Sequence, residues 1–165
     1  MYARFGTFHL KAVRRLILCI AVPLLVGFLA SRLSGNQQQF YSQLVRPVLS
    51  PPGWVFGVVW PVLYILMGIS AYLVRFSGAD CALVRRSMCV YYLQLGVNAL
   101  WSVVFFRFQL FGAAFYVLLI LLALIVITSV FSYDVSPVAS WLYIPYVMWV
   151  SFAGYLNYMV WILNA

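Results

Sequence analysis

The run WVFGVVWPVLYILMGISAYLV, residues Trp54–Val74, contains twenty-one consecutive residues without a charged side chain and is followed by Arg75. An α-helix needs about 20 apolar residues to cross the hydrocarbon core of a bilayer. Backbone groups in lipid must be satisfied within a helix or a closed barrel, and this run lacks the strict alternation of a barrel strand. It therefore predicts a membrane-spanning helix.

Four further apolar runs flank this one, and together they predict a bundle of five helices. Of the 165 residues, 67% are hydrophobic and 7% are charged, whereas a soluble domain carries about 25% charged residues. A soluble monomer is therefore excluded, and the predicted fold class is an all-α membrane protein, a five-helix transmembrane bundle in one domain of residues 1–165. The predicted spans cover about residues 13–33, 54–74, 88–106, 110–131 and 141–163.

The first run also resembles a signal peptide, because Leu16–Ala30 follows a basic cluster. Phe28, however, is too bulky for the third position before a cleavage site after Ala30, and Pro23 interrupts the apolar core. We expect this segment to be retained as the first helix.

The formal net charge is +8, but the basic residues lie beside apolar runs and not on a polar face, which argues against a nucleic-acid partner. Cytoplasmic loops of membrane proteins carry the excess of Lys and Arg. The N-terminus and the second and fourth loops carry seven basic residues, and the other side carries three, which predicts a cytoplasmic N-terminus. The seven are Arg4, Lys11, Arg14, Arg15, Arg75, Arg85 and Arg86, and the three are Arg32, Arg46 and Arg107.

Side chains suited to acid–base catalysis are scarce. His9, Asp80 and Asp134 are the candidates, and none lies inside a predicted span. The three cysteines have no metal-ligand spacing and are expected to be free thiols. We therefore expect no metal site and no catalytic site of an ordinary kind.

The connection between the first two spans, residues 31–53, is long and has no predicted helix or strand. It contains four consecutive amide residues at 36–39 and prolines at 47, 51 and 52. Long loops in compact domains are often functional, and prolines restrict the backbone. The composition is typical of a shaped lid.

Three spans carry stripes of aromatic and amide residues at helical spacing. In the third, Gln94 and Asn98 share a face with three rings, and amides in lipid should point into the bundle. These stripes also fit plain interhelical hydrogen bonding and packing. Their members are Tyr91, Gln94, Asn98, Trp101 and Phe105; Trp141, Pro145, Trp149, Ala153 and Asn157; and Gly57, Trp60 or Pro61, Tyr64 and Met67.

Internal prolines are expected to bend three of the spans, at Pro23, Pro61 and Pro145. Bent helices cannot pack closely along their whole length, so a cavity between them is predicted. Apolar walls, flat rings and one or two amides suit a large planar hydrophobic ligand.

The same residues resemble the signature of the TspO/MBR family, which includes the tryptophan-rich sensory proteins and the mitochondrial translocator protein. The resemblance covers roughly residues 40–161. It rests on Tyr41, Arg46-Pro47, Pro51-Pro52-Gly53, Trp54 with Trp60, Leu63-Tyr64, Met67-Gly68, Asn98 with Trp101, Phe105-Phe106, Val135-Ser136-Pro137, Pro145-Tyr146, Trp149, Phe152-Ala153 and Leu156-Asn157-Tyr158.

The resemblance implies a five-helix bundle, commonly a homodimer, with a pocket covered by the first loop. It implies porphyrins such as protoporphyrin IX as ligands, with sterols and synthetic isoquinoline carboxamides or benzodiazepines also bound in the family, and no required cofactor. It also implies an alternative, light-dependent porphyrin breakdown through Trp60 and Trp149. The implied ligand-binding residues are Tyr41, Pro51, Trp60, Asn98, Trp101, Pro145, Trp149 and Ala153.

Several positions depart from the family pattern. Val48-Leu49 replaces a loop Ser-Trp, Ala113 stands where animal members have tryptophan, and no basic residue follows Tyr158. We therefore expect a porphyrin as the ligand before a sterol. We also expect the protein to lie in a bacterial membrane and not in a mitochondrial one. Gly96 and Ala99 offer a close helix contact for dimerisation. Three functions stay open: a porphyrin sensor or transporter, a light-dependent enzyme, and a structural membrane partner without a ligand.

Overall fold

The computed structural model describes the backbone of residues 2–164 and the side chains of residues 10–37 and 39–164; the side chain of His9, a candidate above, lies outside these. Helices account for most of this part of the chain, and it contains no strand. The helices are α1 (Tyr2–Ser34), α2 (Gln37–Gln43), α3 (Gly53–Arg75), α4 (Cys81–Ser102), α5 (Phe111–Tyr133), α6 (Pro137–Trp141) and α7 (Ile144–Leu163), and a π-helical turn (Val103–Arg107) extends α4.

Five segments are long and apolar enough to cross a membrane, which confirms the predicted architecture. They are Leu10–Ser34, Gly53–Arg75, Cys81–Arg107, Phe111–Tyr133 and Pro137–Leu163. The chain is therefore a multi-pass membrane protein with an all-helical bundle.

Capping residues explain why the helices begin where they do. The third span begins at Cys81, seven residues before its predicted start, because the Asp80 carboxylate accepts hydrogen bonds from the backbone N–H groups of Ala82 and Leu83. The Asn36 side chain caps α2 in the same way, through the N–H of Gln39. The prediction that residues 31–53 contain no helix or strand is therefore wrong, since this loop contains a two-turn helix.

The bundle is held together by close contact between α1 and α3, between α4 and α5, and between α5 and α7. Glycine makes the first contact possible, because a Cβ atom on Gly68 would lie 2.5 Å from the Cα atom of Ile20. Residues from α3 to α7 fill the core between the helices, among them Met67, Leu118, Leu121, Ile125 and Tyr146.

The fifth span is not one continuous helix, and this corrects the stripe predicted along it. The chain turns at Leu142 and Tyr143, so Pro145 lies in the first turn of α7 and not at an internal bend. Proline is well tolerated there because the first helical N–H groups have no intrahelical partner. Pro145 is exposed and Trp141 is 67% exposed, whereas Ala153 and Asn157 are buried. Pro23 and Pro61 do lie inside α1 and α3.

Gly96, one of the two residues predicted for dimer contact, lies on the exposed side of α4, and Ala99, the other, is half-buried. Nothing in the described chain lies within 4 Å of a Cβ atom built there, so a second helix has room to approach. The homodimer stays a prediction.

Candidate functional site

A cavity of about 470 Å³ lies between α1, α3 and α4, and α2 contributes to its wall. This volume is within the range of small-molecule sites in proteins. Most of the lining is apolar or aromatic. The residues around it are Leu24, Gly27, Phe28, Ala30, Ser31, Gln37, Tyr41, Gly53, Phe56, Gly57, Trp60, Pro61, Tyr64, Asn98, Trp101, Ser102 and Phe106.

Flat rings form the inner wall of this cavity. The Trp60 indole stacks on the Tyr64 ring, with 5.9 Å between the centroids and 29° between the planes, and lies 5.9 Å from the Trp101 ring. Trp101 in turn meets Phe106 edge to face at 6.2 Å. Offset and edge-to-face contacts are the favourable arrangements of aromatic pairs. The rings therefore hold one another in place along the wall of the cavity.

Asn98 provides an amide in the same wall, and its two polar atoms join three helices. The Tyr64 hydroxyl donates a hydrogen bond of 2.8 Å to Asn98 Oδ1, and Asn98 Nδ2 donates one of 2.8 Å to the Tyr146 hydroxyl. Asn98 therefore fits both interpretations given above. It lines the cavity, and it also forms hydrogen bonds between helices.

The orientation of Trp101 is fixed by a second amide. Its indole Nε1 donates a hydrogen bond of 3.1 Å to Asn157 Oδ1, and Asn157 Nδ2 donates one of 2.8 Å to the Phe111 carbonyl. Asn157 belongs to α7 and Phe111 begins α5, so three helices set the position of this ring. Buried amides in membranes are expected to be partnered in this way.

The first loop is shaped by Tyr41, which lines the cavity. The Tyr41 hydroxyl donates a hydrogen bond of 3.1 Å to the Pro51 carbonyl, and its ring meets Phe56 edge to face at 5.2 Å. The Arg46 guanidinium lies 5.1 Å from the centre of the Tyr41 ring, within the range of a cation–π contact. These contacts give the loop one defined shape beside the cavity.

A polar group at the rim links the first loop to α4. Gln37 Nε2 donates a hydrogen bond of 3.1 Å to Ser102 Oγ, which lies 2.9 Å from Ser34 Oγ. Neither Gln37 nor Ser102 was predicted as a site residue. Ser102 follows Asn98 by four residues, so helical spacing could have found it.

The loop is also attached to the end of the chain. The backbone N–H of Val45 donates to Asn164 Oδ1 at 3.0 Å, and Asn164 Nδ2 donates to the Val45 carbonyl at 2.9 Å. This reciprocal pair holds the part of the loop that follows α2.

The predicted ligand-binding residues divide into two groups. Tyr41, Trp60, Asn98 and Trp101 line the cavity. The other four are not among its lining residues: Pro51 holds the Tyr41 hydroxyl, Trp149 packs behind Phe56 at 5.6 Å, Ala153 is buried in the core and Pro145 is exposed.

Phe56 and Phe106 are lining residues that the sequence analysis missed. Phe56 lies one turn before Trp60, so its position on that face was available from spacing. The π-helical turn after α4 shifts the helical register by one residue. In this turn the Phe108 N–H donates a hydrogen bond of 3.1 Å to the Val103 carbonyl, five residues earlier. Phe106 therefore lines the cavity, while Phe105, predicted for the face, lies in the core.

The groups that this cavity offers are aromatic rings, hydroxyls and amides. Among the described side chains that line it there is no carboxylate, histidine or cysteine. In the part of the chain whose side chains are described, no group of three metal-ligating residues lies close enough together to hold an ion. The wall can stack on a flat apolar ring system and offers a few hydroxyl and amide groups at its edge.

Comparison with known proteins gives consistent matches along the chain. The sequence model of the TspO/MBR family matches residues 19–162. The chain is 37% identical over 155 residues to "Tryptophan-rich protein TspO" of Chlorobaculum tepidum, which covers 93% of this chain and 98% of the relative. It is also 37% identical over 141 residues to "Translocator protein" of Homo sapiens, covering 84% and 83%. A "Tryptophan-rich sensory protein" of Cereibacter sphaeroides is 32% identical over 127 residues, covering 76% and 77%.

Proposed function

Because the chain belongs to the TspO/MBR family, we propose that it is a membrane sensor or transporter that binds porphyrins, protoporphyrin IX among them, in the cavity between α1, α3 and α4. The bound ligand lies flat against the wall formed by Trp60, Tyr64 and Trp101. Its polar groups meet hydroxyl and amide groups near Gln37 and Ser102.

The observation that carries this proposal is the arrangement of the rings around one cavity. A porphyrin is a wide, flat and apolar macrocycle, and it gains most from stacking on aromatic faces of matching shape. Trp60 and Trp101 supply such faces. Contacts with the Tyr64 and Trp101 rings hold the Trp60 indole, and the hydrogen bond to Asn157 holds the Trp101 indole. A preformed wall costs little ordering entropy when the ligand binds.

Titration of the purified full-length protein with protoporphyrin IX in detergent tests the proposal. We expect saturable quenching of tryptophan fluorescence with one ligand per chain. Gly57→Phe should weaken binding at least ten-fold, since nothing lies within 4 Å of a Cβ atom on Gly57 and the new ring enters the cavity. The matched control is Val58→Phe, at the next position, whose side chain is exposed and is not among the lining residues.

Three results would contradict the proposal. Quenching that never saturates would indicate partition of the porphyrin into detergent. Equal binding by wild type, Gly57→Phe and Val58→Phe would place the ligand elsewhere. If neither porphyrin nor an isoquinoline carboxamide raises the melting temperature, the structural role without a ligand is favoured.

Light-dependent porphyrin breakdown is the second candidate function, and the position of Trp60 favours it. Trp60 lines the cavity beside Trp101, so an excited porphyrin there would lie next to an oxidisable indole. Trp149 is separated from the cavity by Phe56. Illumination of the complex should therefore give a tetrapyrrole product that Trp60→Phe abolishes and Trp149→Phe only reduces. The same product yield from all three proteins would rule this candidate out.

A further inference from the structure

A second, smaller cavity of about 220 Å³ lies between α1, α3 and α4 at the end of the bundle away from the first loop. Its inner wall is apolar and includes Leu18, Val22, Ala71 and Met88. This cavity shares no lining residue with the larger one. It is therefore a separate candidate site.

Two arginines lie at this cavity, one from each of two helices. Arg15 comes from α1, and its guanidinium lies 4.8 Å from the centre of the Phe76 ring. Arg75 is the last residue of α3, and its Nη1 donates a hydrogen bond of 3.3 Å to the Tyr92 hydroxyl. The aromatic partners, both of which line the cavity, hold the two charged groups beside it.

The two acidic side chains of the sequence have partners other than these arginines. The whole sequence has two carboxylate side chains. Asp134 forms an ion pair with Arg86, and Asp80 accepts hydrogen bonds from the first N–H groups of α4. Among the described side chains, neither Arg15 nor Arg75 forms a salt bridge.

One of the residues around the same cavity carries an unpartnered hydroxyl. Tyr91 is 2% exposed, and its hydroxyl has no hydrogen-bond partner among the described residues. Leaving a buried polar group without a partner is costly, so such groups usually indicate a missing ligand or water. The cavity thus combines two guanidinium groups, a buried donor and an apolar wall.

We propose that this cavity binds the headgroup of one anionic phospholipid of the surrounding membrane. The phosphate lies between Arg15 and Arg75, whose planar guanidinium groups match phosphate oxygens in paired hydrogen bonds. The glycerol and the first methylene groups occupy the apolar wall, and the acyl chains pass Leu18, which is 55% exposed, into the bilayer. Basic pockets between transmembrane helices recognise anionic headgroups by the same chemistry.

Native mass spectrometry of the full-length protein, released from detergent with defined lipids, tests this site. We expect one phosphatidylglycerol to be retained at concentrations at which phosphatidylcholine with the same acyl chains is not. Arg15→Gln with Arg75→Gln should weaken retention about ten-fold. The matched control, Arg14→Gln with Arg85→Gln, removes the same charge from the same end of the bundle, at residues that do not line the cavity, and should change retention less than two-fold.

A second pair of variants keeps the charge constant. Leu18→Trp narrows the cavity from an exposed position, so the fold should be kept, and it should reduce phosphatidylglycerol retention as strongly as the arginine pair. Leu25→Trp, at an equally exposed position of α1 outside both cavities, is its control and should leave retention unchanged.

Several outcomes would overturn the proposal. If the two arginine double variants lose phosphatidylglycerol retention equally, the lipid is attracted by the general positive charge of this end of the bundle. If the two tryptophan variants lose retention equally, the apolar wall of the cavity plays no part in binding. Displacement of the lipid by inorganic phosphate at equal concentration would mean that the site takes a free anion. Normal porphyrin titration in the same variants would show that the larger cavity is intact, so the two proposals can fail separately.

Discussion

At the scale of single residues, Gln94 and Asn98 differ sharply although they lie one turn apart on α4. Both are buried, at 0% and 2% exposure, and Asn98 has a partner for each polar atom of its amide. Neither amide atom of Gln94 has a hydrogen-bond partner among the described residues. Asn98 therefore stabilises the bundle, whereas Gln94 carries an uncompensated desolvation cost.

We therefore expect Gln94→Met to stabilise the protein. Methionine has nearly the same shape without the polar atoms, so the free energy of unfolding should rise by about 1–3 kcal/mol, the usual cost of an unsatisfied buried group. Thermal unfolding in detergent, followed by circular dichroism, measures the change. Asn98→Leu is the control of opposite sign, because it leaves the Tyr64 and Tyr146 hydroxyls without their shared partner. A lower melting temperature for Gln94→Met would mean that its amide is satisfied.

Sequence patterns could predict that both amides are buried, but not which of them is paired. Burial follows from helical spacing within α4 alone, because a polar face cannot be turned to lipid. Pairing depends on where α3 and α7 place their tyrosine hydroxyls, and those positions are set by packing between helices. Trp149 illustrates the same limit: the resemblance implied that it binds the ligand, but it contacts the lining residue Phe56 of α3 and is not itself among the lining residues.

At the scale of helices, the contact between α1 and α3 depends on glycine. Gly68→Ala should lower the free energy of unfolding by about 1–3 kcal/mol, since the added methyl group would meet the Ile20 backbone and force the helices apart. Gly57→Ala, in the same helix, meets nothing within 4 Å and should be neutral or stabilise by up to about 1 kcal/mol through helix propensity. Melting temperatures of the two variants give the comparison, and equal shifts would contradict the close approach of the helices.

The helices themselves were largely predictable, and the exceptions have local causes. Five apolar runs gave five spans, because length and composition suffice for that inference. Two of the differences lie in short connecting segments, where local structure overrides the apolar pattern. The Asn36 cap allows α2 to form in the first loop, and the turn at Leu142–Tyr143 breaks the spacing of four between Trp141 and Pro145.

At the scale of the whole molecule, the uneven charge at the two ends of the bundle has consequences for orientation and for lipid. Lys11, Arg14, Arg15, Arg75, Arg85 and Arg86 lie at the end that holds the second cavity. Cytoplasmic leaflets are anionic and attract basic segments. The charge bias and the proposed lipid site therefore predict the same orientation, with the N-terminus in the cytoplasm.

Labelling of a single cysteine tests this orientation. Cys81 is exposed at the start of α4, at the same end as Arg85. With Cys19 and Cys89 replaced by alanine, a membrane-impermeant maleimide should label Cys81 only after bacterial cells expressing the protein are permeabilised. In a variant that lacks all three cysteines, Ser50→Cys in the first loop should be labelled on intact cells. The reverse pattern would place the basic end outside, and the lipid site would then face the wrong leaflet for the headgroup that it is proposed to bind.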